Sequence, residues 1–538
     1  MKRINHYIFA AGLAALSMTS LTGCIDETEP TQYATEDQVK QSSSAAEALL
    51  SAMPAYFNKI WDTDRHWSFG YGAMMHIRDI QTGDLLKSSD SYNQFENFGQ
   101  DKYQGDKYIY PQFIWNFYYG FVNTANNMIS GVNADNATDT QLGYLGAGYA
   151  FRAMLYLDMA RSYEFLPNDK TSAKNSYGHD VTGLTVPIVK AGMSQDSARS
   201  NPRVDHKTMA AFILSDLDNA EKYIVHLTNT NGKTLPDLAC VYGLKARLYM
   251  WNEDYANAEK YARMAINQSG LSPMTETEGL NTKTGFNVTD PWMWGAQQTS
   301  ENATVQTGII NWTSFVSDET SFGYCGAGTG TYNEIDKSMY DRISNNDWRK
   351  LWFKAPEGSA LAGKNLYVNA ALGAMLPAYT SLKFRPGEGN YKDNTTGAAT
   401  AYPIMRVEEM YFIEAEAAAH QDANKGKQLL EDFMKKYRNP SYTCKATSQD
   451  AIIEEIVFQK RVELFGEGQT FFDIKRLNYS VTRGYADTNW RDVQRFNTNG
   501  RPAWMNYCIV KTEGNNNKAI TEYNNPDPSD VYSLWTGK

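Results

Sequence analysis

The chain has 538 residues, 42% apolar and 21% charged, the composition of a folded globular protein and not of a wholly disordered one. Its 51 Lys and Arg face 61 Asp and Glu, a net charge of −10, and no basic stripe offsets it, so nucleic acid is not an expected partner. Twelve Trp, 35 Tyr and 23 Phe are unusually many; such side chains fill a core, cover a partner or stack on ligands.

The amino end reads as an address. Lys2 and Arg3 precede an apolar run over 7–16 that is too short to span a bilayer, so residues 1–23 are expected to be a cleaved signal peptide. The run Leu21-Thr22-Gly23-Cys24 resembles a bacterial lipobox, which implies that Cys24 carries acyl chains and anchors the mature chain in outer-membrane lipid. Asp26, Glu27 and Glu29 follow, so 24–45 is an acidic tether. Acidic residues directly after a lipidated Cys also look like the surface-export signal of some Gram-negative lipoproteins.

Beyond the tether the apolar residues recur at helical spacing. Ala46, Leu49, Leu50, Met53 and Phe57 predict a helix over 46–60, and Phe113, Phe117, Phe121, Ala125 and Met128 another over 111–130. A longer one runs from Tyr144 to Tyr163 and stops by Pro167; the next follows Asp205. Two more flank a turn at 252–254. Their small residues Gly243, Ala246, Ala258 and Ala262 sit where helices approach closely, and the pair resembles a tetratricopeptide unit. Helical pairs are expected over about 111–267 and 404–437, with a last helix at 448–465. Residues 270–400 are rich in Gly, Asn, Thr and aromatics and read as short helices, hairpins and loops draped on the helical scaffold; residues 478–538 look similar. Trp115, Trp251, Trp352 and Cys240 lie in patterned stretches and read as core.

Signals of catalysis are sparse. HExxH, GxSxG, P-loop and EF-hand patterns do not occur, and the seven His do not pair at metal-ligand spacing, so neither metal, cofactor nor catalytic residues are expected. The glycine-rich run at 323–330 reads as a flexible loop. Glu463 and Glu467 are four apart, with Arg461, Lys475 and Arg476 near, which reads as a surface ion network rather than an acid–base pair. Cys240, Cys325, Cys444 and Cys508 allow three pairings, and spacing selects none.

Four segments then converge: 146–156 (GAGYAFRAMLY), 242–249 (YGLKARLY), 406–410 (RVEEM), and 463–469 (ELFGEGQ) leading into 471–476 (FFDIKR). In this order, behind a lipobox, they resemble the SusD/RagB family of surface nutrient-binding lipoproteins over about 24–476. Gln459-Lys460-Arg461 and Thr470 depart from the family's usual residues. The motifs read as scaffold: Arg406 with Glu409, and Glu467 with the basic residues after it, are expected to fix helices against one another.

The resemblance implies a mainly α fold, with tetratricopeptide-like helical repeats and a large irregular ligand-binding region, forming one domain over 46–538. It implies a non-catalytic protein facing the cell exterior that passes oligomeric nutrients, most often glycans, to a SusC-like TonB-dependent transporter. Two alternatives stay open: the same scaffold taking oligopeptides, and a helical-repeat interaction protein with the transporter as sole partner. A glycan site needs aromatic planes for the C–H faces of sugars and polar groups for their hydroxyl rims. The candidates are Trp67, Tyr71, Arg78 and Asp79 in one run, then Trp292, Trp294, Trp312 and Tyr324, and finally Arg385.

Overall fold

Capped helices set the architecture. A computed structural model describes residues 43–89 and 93–537 and is mainly helical. The expected signal segment, the expected lipidation site Cys24 and most of the expected tether lie outside the described residues. The principal helices are α1 (Ser43–Tyr56), α2 (Tyr71–Ile80), α3 (Ile109–Ser130), α4 (Asp139–Tyr163), α5 (His206–Ile224), α6 (Leu238–Trp251), α7 (Tyr255–Ser269), α8 (Val407–Gln421), α9 (Ala423–Tyr437), α10 (Gln449–Glu463) and α11 (Thr470–Arg476). Several start at a side chain that accepts from the first unpaired backbone N–H groups. Thr138 and Gln141 form a capping box before α4. Asp205 accepts from Thr208 N at 2.7 Å, and Asp237 from Cys240 N at 3.0 Å. No helix among the described residues is long and apolar enough to cross a membrane.

From α3 to α8 each helix packs on the next in chain order, and α9 and α10 both pack on α8. This is the stacking that helical-repeat units need to bury faces they cannot cover alone. α4 is buried along nearly its whole length. Gly146 lets it meet the end of α5, because a Cβ there would lie 2.4 Å from the Ile224 backbone nitrogen. Ala246, Ala258 and Ala262 are fully buried between helices, and Trp115, Trp251, Trp352 and Cys240 are core.

Residues 270–406 leave the stack between α7 and α8 as short helices, turns and two antiparallel ladders. β1 (Leu85–Lys87) pairs with β3 (Asn333–Ile335), placing Leu85 opposite Ile335. β2 (Trp294–Gln297) pairs with β4 (Ala401–Met405), placing Ala296 opposite Tyr402. β4 runs through Arg406 into α8, so the second ladder ties the irregular half directly to the repeats. The glycine-rich run is a closed turn, with Gly326 N donating to Thr331 O at 2.8 Å.

A balanced set of buried charges joins the two halves. Glu463, the last residue of α10, accepts from Arg438 Nε at 2.7 Å and Arg349 Nη1 at 3.1 Å. It also accepts from Arg406 Nη1 at 3.1 Å. Glu467 accepts from Arg406 Nε at 2.9 Å and Lys383 Nζ at 2.6 Å. These side chains are at most 4% exposed. The surface network expected of Glu463 and Glu467 is therefore an interior one, and its partners differ from those expected. Arg461 pairs with Asp84, Arg476 with Glu416, and Glu409 with Arg247 at 2.6 Å rather than with Arg406. Burial disfavours the Glu463 carboxylate, but Arg438, Arg406 and Arg349 outweigh it and hold the group well below the ordinary carboxylate range. The motif residues do fasten elements together, as expected.

Candidate functional site

Burial decides which candidate residues can meet a ligand. Trp67 is 0% exposed, its ring 4.6 Å from Phe113 and 5.4 Å from Tyr110. Tyr71 and Arg78 project from α2 into α4: the Tyr71 hydroxyl donates to Asp158 Oδ2 at 2.6 Å, and Arg78 Nη1 to the same oxygen at 3.0 Å. Asp79 accepts from the Gly468 backbone N–H at 2.9 Å, clamping α2 to the turn after α10, and burial pushes its carboxyl well above the ordinary range. Trp292 packs 5.2 Å from Phe286. Trp294 sits 5.0 Å from Phe151 and donates from Nε1 to Thr234 O at 3.1 Å. Trp312 lies between Phe384 and Tyr402. Arg385 pairs with Glu319 and donates to Leu366 O at 2.8 Å.

All eight are at most 2% exposed, so the expectation that they touch ligand is corrected. Their rings and charges are already covered by core partners, and a sugar could reach them only by displacing that core.

Tyr324 is different. It is partly exposed and lines a cleft of about 390 Å³ together with Asp64, Arg65, His66, Gln94, Thr307, Ile309 and Ile310. Its ring stacks on Phe315 at 5.2 Å and 7°, and Phe315 stacks on Phe69 at 5.5 Å and 9°. Tyr324 is thus the outermost of three parallel rings whose inner two are buried. His66 lies 4.1 Å from Tyr324 and 5.9 Å from Phe315. The second distance is too short for the two to lie on opposite faces of Tyr324, so both support it from one side.

The polar side of the cleft is held by the same histidine. Gln94 N donates to His66 Nδ1 at 3.0 Å, and His66 N donates to Gln94 Oε1 at 3.3 Å, which ties two segments 28 residues apart. Because Nδ1 accepts, the ring hydrogen sits on Nε2. Burial, with the Arg65 charge beside it, lowers His66 to about 4, so the imidazole is neutral at physiological pH. Ile309 is 38% exposed, an apolar side chain held open at the rim. Arg65, His66, Gln94 and Ile309 were not singled out from the sequence. The signal for the first two was their place beside Trp67; for Ile309 it was an apolar pair just after Gly308, whose φ of 77° marks a turn.

The cleft can take a flat apolar face against Tyr324 and Ile309, and hydroxyls against Asp64, Arg65 and Gln94. Among the described residues no group of three or more His, Cys, Asp or Glu is placed to hold a metal ion.

The SusD family model matches residues 327–533, the stretch that holds β3, β4, α8 to α11 and the buried Arg406–Glu463–Glu467 set. The chain's fold is SusD-like. It is shared with a SusD-like carbohydrate binding protein from Bacteroides vulgatus, at a TM-score of 0.69 and 21% identity over 92% of this chain and 99% of that one. A SusD superfamily protein from Bacteroides thetaiotaomicron aligns at 0.65 and 17% identity over 88% and 98% of the two chains. A SusD-like carbohydrate binding protein from Bacteroides fragilis aligns at 0.64 and 13% over 90% and 99%. At these identities the likeness is one of fold. No curated protein matches the sequence. In this SusD-like chain the matched stretch supplies framework, while the cleft residues all lie before residue 327.

Proposed function

We propose that this SusD-like chain is a lipid-anchored protein of the outer membrane's external face. It captures oligosaccharides in the Tyr324 cleft and delivers them to a SusC-like TonB-dependent transporter, without breaking bonds. The observation that carries this reading is the cleft itself, a single partly exposed ring backed by two buried parallel rings and bordered by Asp64, Arg65 and Gln94. A ring braced in this way loses little freedom on binding, so stacking on a sugar face costs less entropy than it would on a mobile side chain. The neutral His66 adds no charge, which suits a neutral ligand. The acidic tether after Cys24 and the lipobox support the anchoring and the exposed location.

The test is retardation in a native gel cast with polysaccharide. Tyr324→Ala should lose most of the mobility shift shown by the parent, by about 1 kcal/mol or more of binding. Unchanged mobility against every glycan that retards the parent would remove the cleft from the account. Gentle detergent extraction of outer membranes should bring down a barrel partner, and recovery as a partnerless monomer would remove the transporter.

A further inference from the structure

Exposed aromatic rings are rare on this surface and lie together. Among the described residues only Tyr103, Tyr108, Tyr177 and Tyr523 have aromatic side chains more than about a third exposed, at 46%, 39%, 59% and 39%. They lie in or beside the chain segments that form one groove of about 500 Å³, within the range of about 300–1,000 Å³ typical of small-molecule sites. Tyr177 lines it directly. Tyr108 and Tyr523 adjoin the lining residues Lys107 and Asn524, and Tyr103 packs edge-on to Tyr108 at 5.2 Å. The groove shares no residue with the Tyr324 cleft.

The rings are held in place. Asn175 Oδ1 accepts from Tyr177 N at 3.1 Å and His179 N at 3.2 Å, while its Nδ2 donates to Glu522 O at 2.9 Å and Asn524 O at 3.1 Å. One amide therefore fastens the loop carrying Tyr177 to the loop carrying Tyr523. Tyr523 stacks on His179 at 4.3 Å and 20°. Next to Tyr108, Tyr103 adopts a φ of 61°, a left-handed conformation uncommon for a tyrosine, and the Asp527 carboxylate lies against Gly105. Asp106 and Asp527 balance Lys107 and Lys511 around a floor of Cys508, Ile509 and Val510.

We propose that this groove is a second saccharide-binding site, taking a neutral oligosaccharide with a ring face against Tyr177 and its hydroxyls against Asp106, Ser176, Thr521 and Asp527. Balanced charge argues against an ionic ligand, and a braced exposed tyrosine beside carboxylates and hydroxyls matches the C–H face and hydroxyl rim of a sugar. The proposal rests on the function proposed above for the class of ligand, but not on the Tyr324 cleft.

The experiment is hydrogen–deuterium exchange of the mature chain with and without maltohexaose, cellohexaose, xylohexaose and mannohexaose. Protection of 174–180 and 520–527 by at least one of them, weakened about three- to tenfold in affinity by Tyr177→Ala, is the expected result. Protection there alone supports the groove and sinks the Tyr324 cleft. Protection of only 63–67 and 307–325 overturns the groove and leaves the cleft standing. Protection unaltered by Tyr177→Ala also overturns the groove, and no protection anywhere overturns both.

Discussion

Replacing Glu463 by Gln is expected to cost about 3–5 kcal/mol of stability, the usual penalty for removing one partner of a buried ion pair, and to leave glycan retardation intact. The magnitude follows from the local balance. Arg349, Arg406, Arg438 and Lys383 stand against Asp347, Glu408, Glu463 and Glu467, and all are essentially unexposed. Gln keeps the shape but removes one negative charge and turns an acceptor into a donor facing a guanidinium. Arg438 suffers most, since it reaches Glu463 through both Nε at 2.7 Å and Nη2 at 2.8 Å. The assay is urea unfolding of the body without its lipid, followed by tryptophan fluorescence, at pH 7 and pH 4. The sign of the pH dependence is fixed: a carboxylate held below its ordinary value stabilises above the unfolded value of 4.5 and loses that contribution as pH falls through the folded one. The difference between parent and variant should therefore shrink in acid. A loss under about 1 kcal/mol at pH 7, or a folded variant that no longer binds glycan, would refute the framework reading of this motif.

Three further outcomes are expected. Trp294→Ala should destabilise by about 3–5 kcal/mol, as fully buried aromatics do, yet its folded fraction should migrate in polysaccharide gels like the parent; selective loss of binding would return Trp294 to the site. Gly468→Ala should lower the melting temperature by the equivalent of about 2 kcal/mol or more, since φ is 68° and a Cβ would lie 2.6 Å from Met75 Cα; an unchanged melt would show that the turn relaxes. His206 accommodates its positive charge despite partial burial because it bonds Glu164 Oε1 at 2.8 Å and Asn252 Oδ1 at 3.0 Å, which raises its pKa. Its contribution, about 1 kcal/mol or less at a partly exposed site, should be present below about pH 6.5 and fade as pH rises through the raised value. His206→Phe should flatten that slope in a pH series of melts, and an identical slope would contradict the assignment.

Helices with one apolar face and one wet face are the plainest to read from the sequence. The period through Met209, Ile213, Leu217 and Ala220 marks α5 plainly, and all four residues are buried. α2, whose stretch reads from the sequence either as a binding run or as a core-packed helix and loop, lacks that period. All ten of its residues are buried, so no wet face interrupts the apolar one and the period vanishes. The same burial misplaced the candidate site. Arg78 and Asp79 look like ligand groups beside aromatics, but their partners lie 80 and 389 residues away, and pairings at that range leave no trace in local sequence. Trp292, Trp294 and Trp312 carry no local sign that separates a core ring from a surface one. Tyr324 is among the sequence candidates and lines a cleft; its cleft partners come from segments around 65, 94 and 309, which only the folded chain assembles.

The four cysteines among the described residues, Cys240, Cys325, Cys444 and Cys508, are unpaired and buried, each in a different region: α6, the turn behind Tyr324, the core beneath α9 and α10, and the floor of the Tyr177 groove. A shielded thiol reacts with an alkylating reagent only when its surroundings open. The chain therefore carries four built-in clocks, and site-resolved alkylation rates would rank how readily the repeats, the loop half and the groove breathe, with no label introduced by mutation.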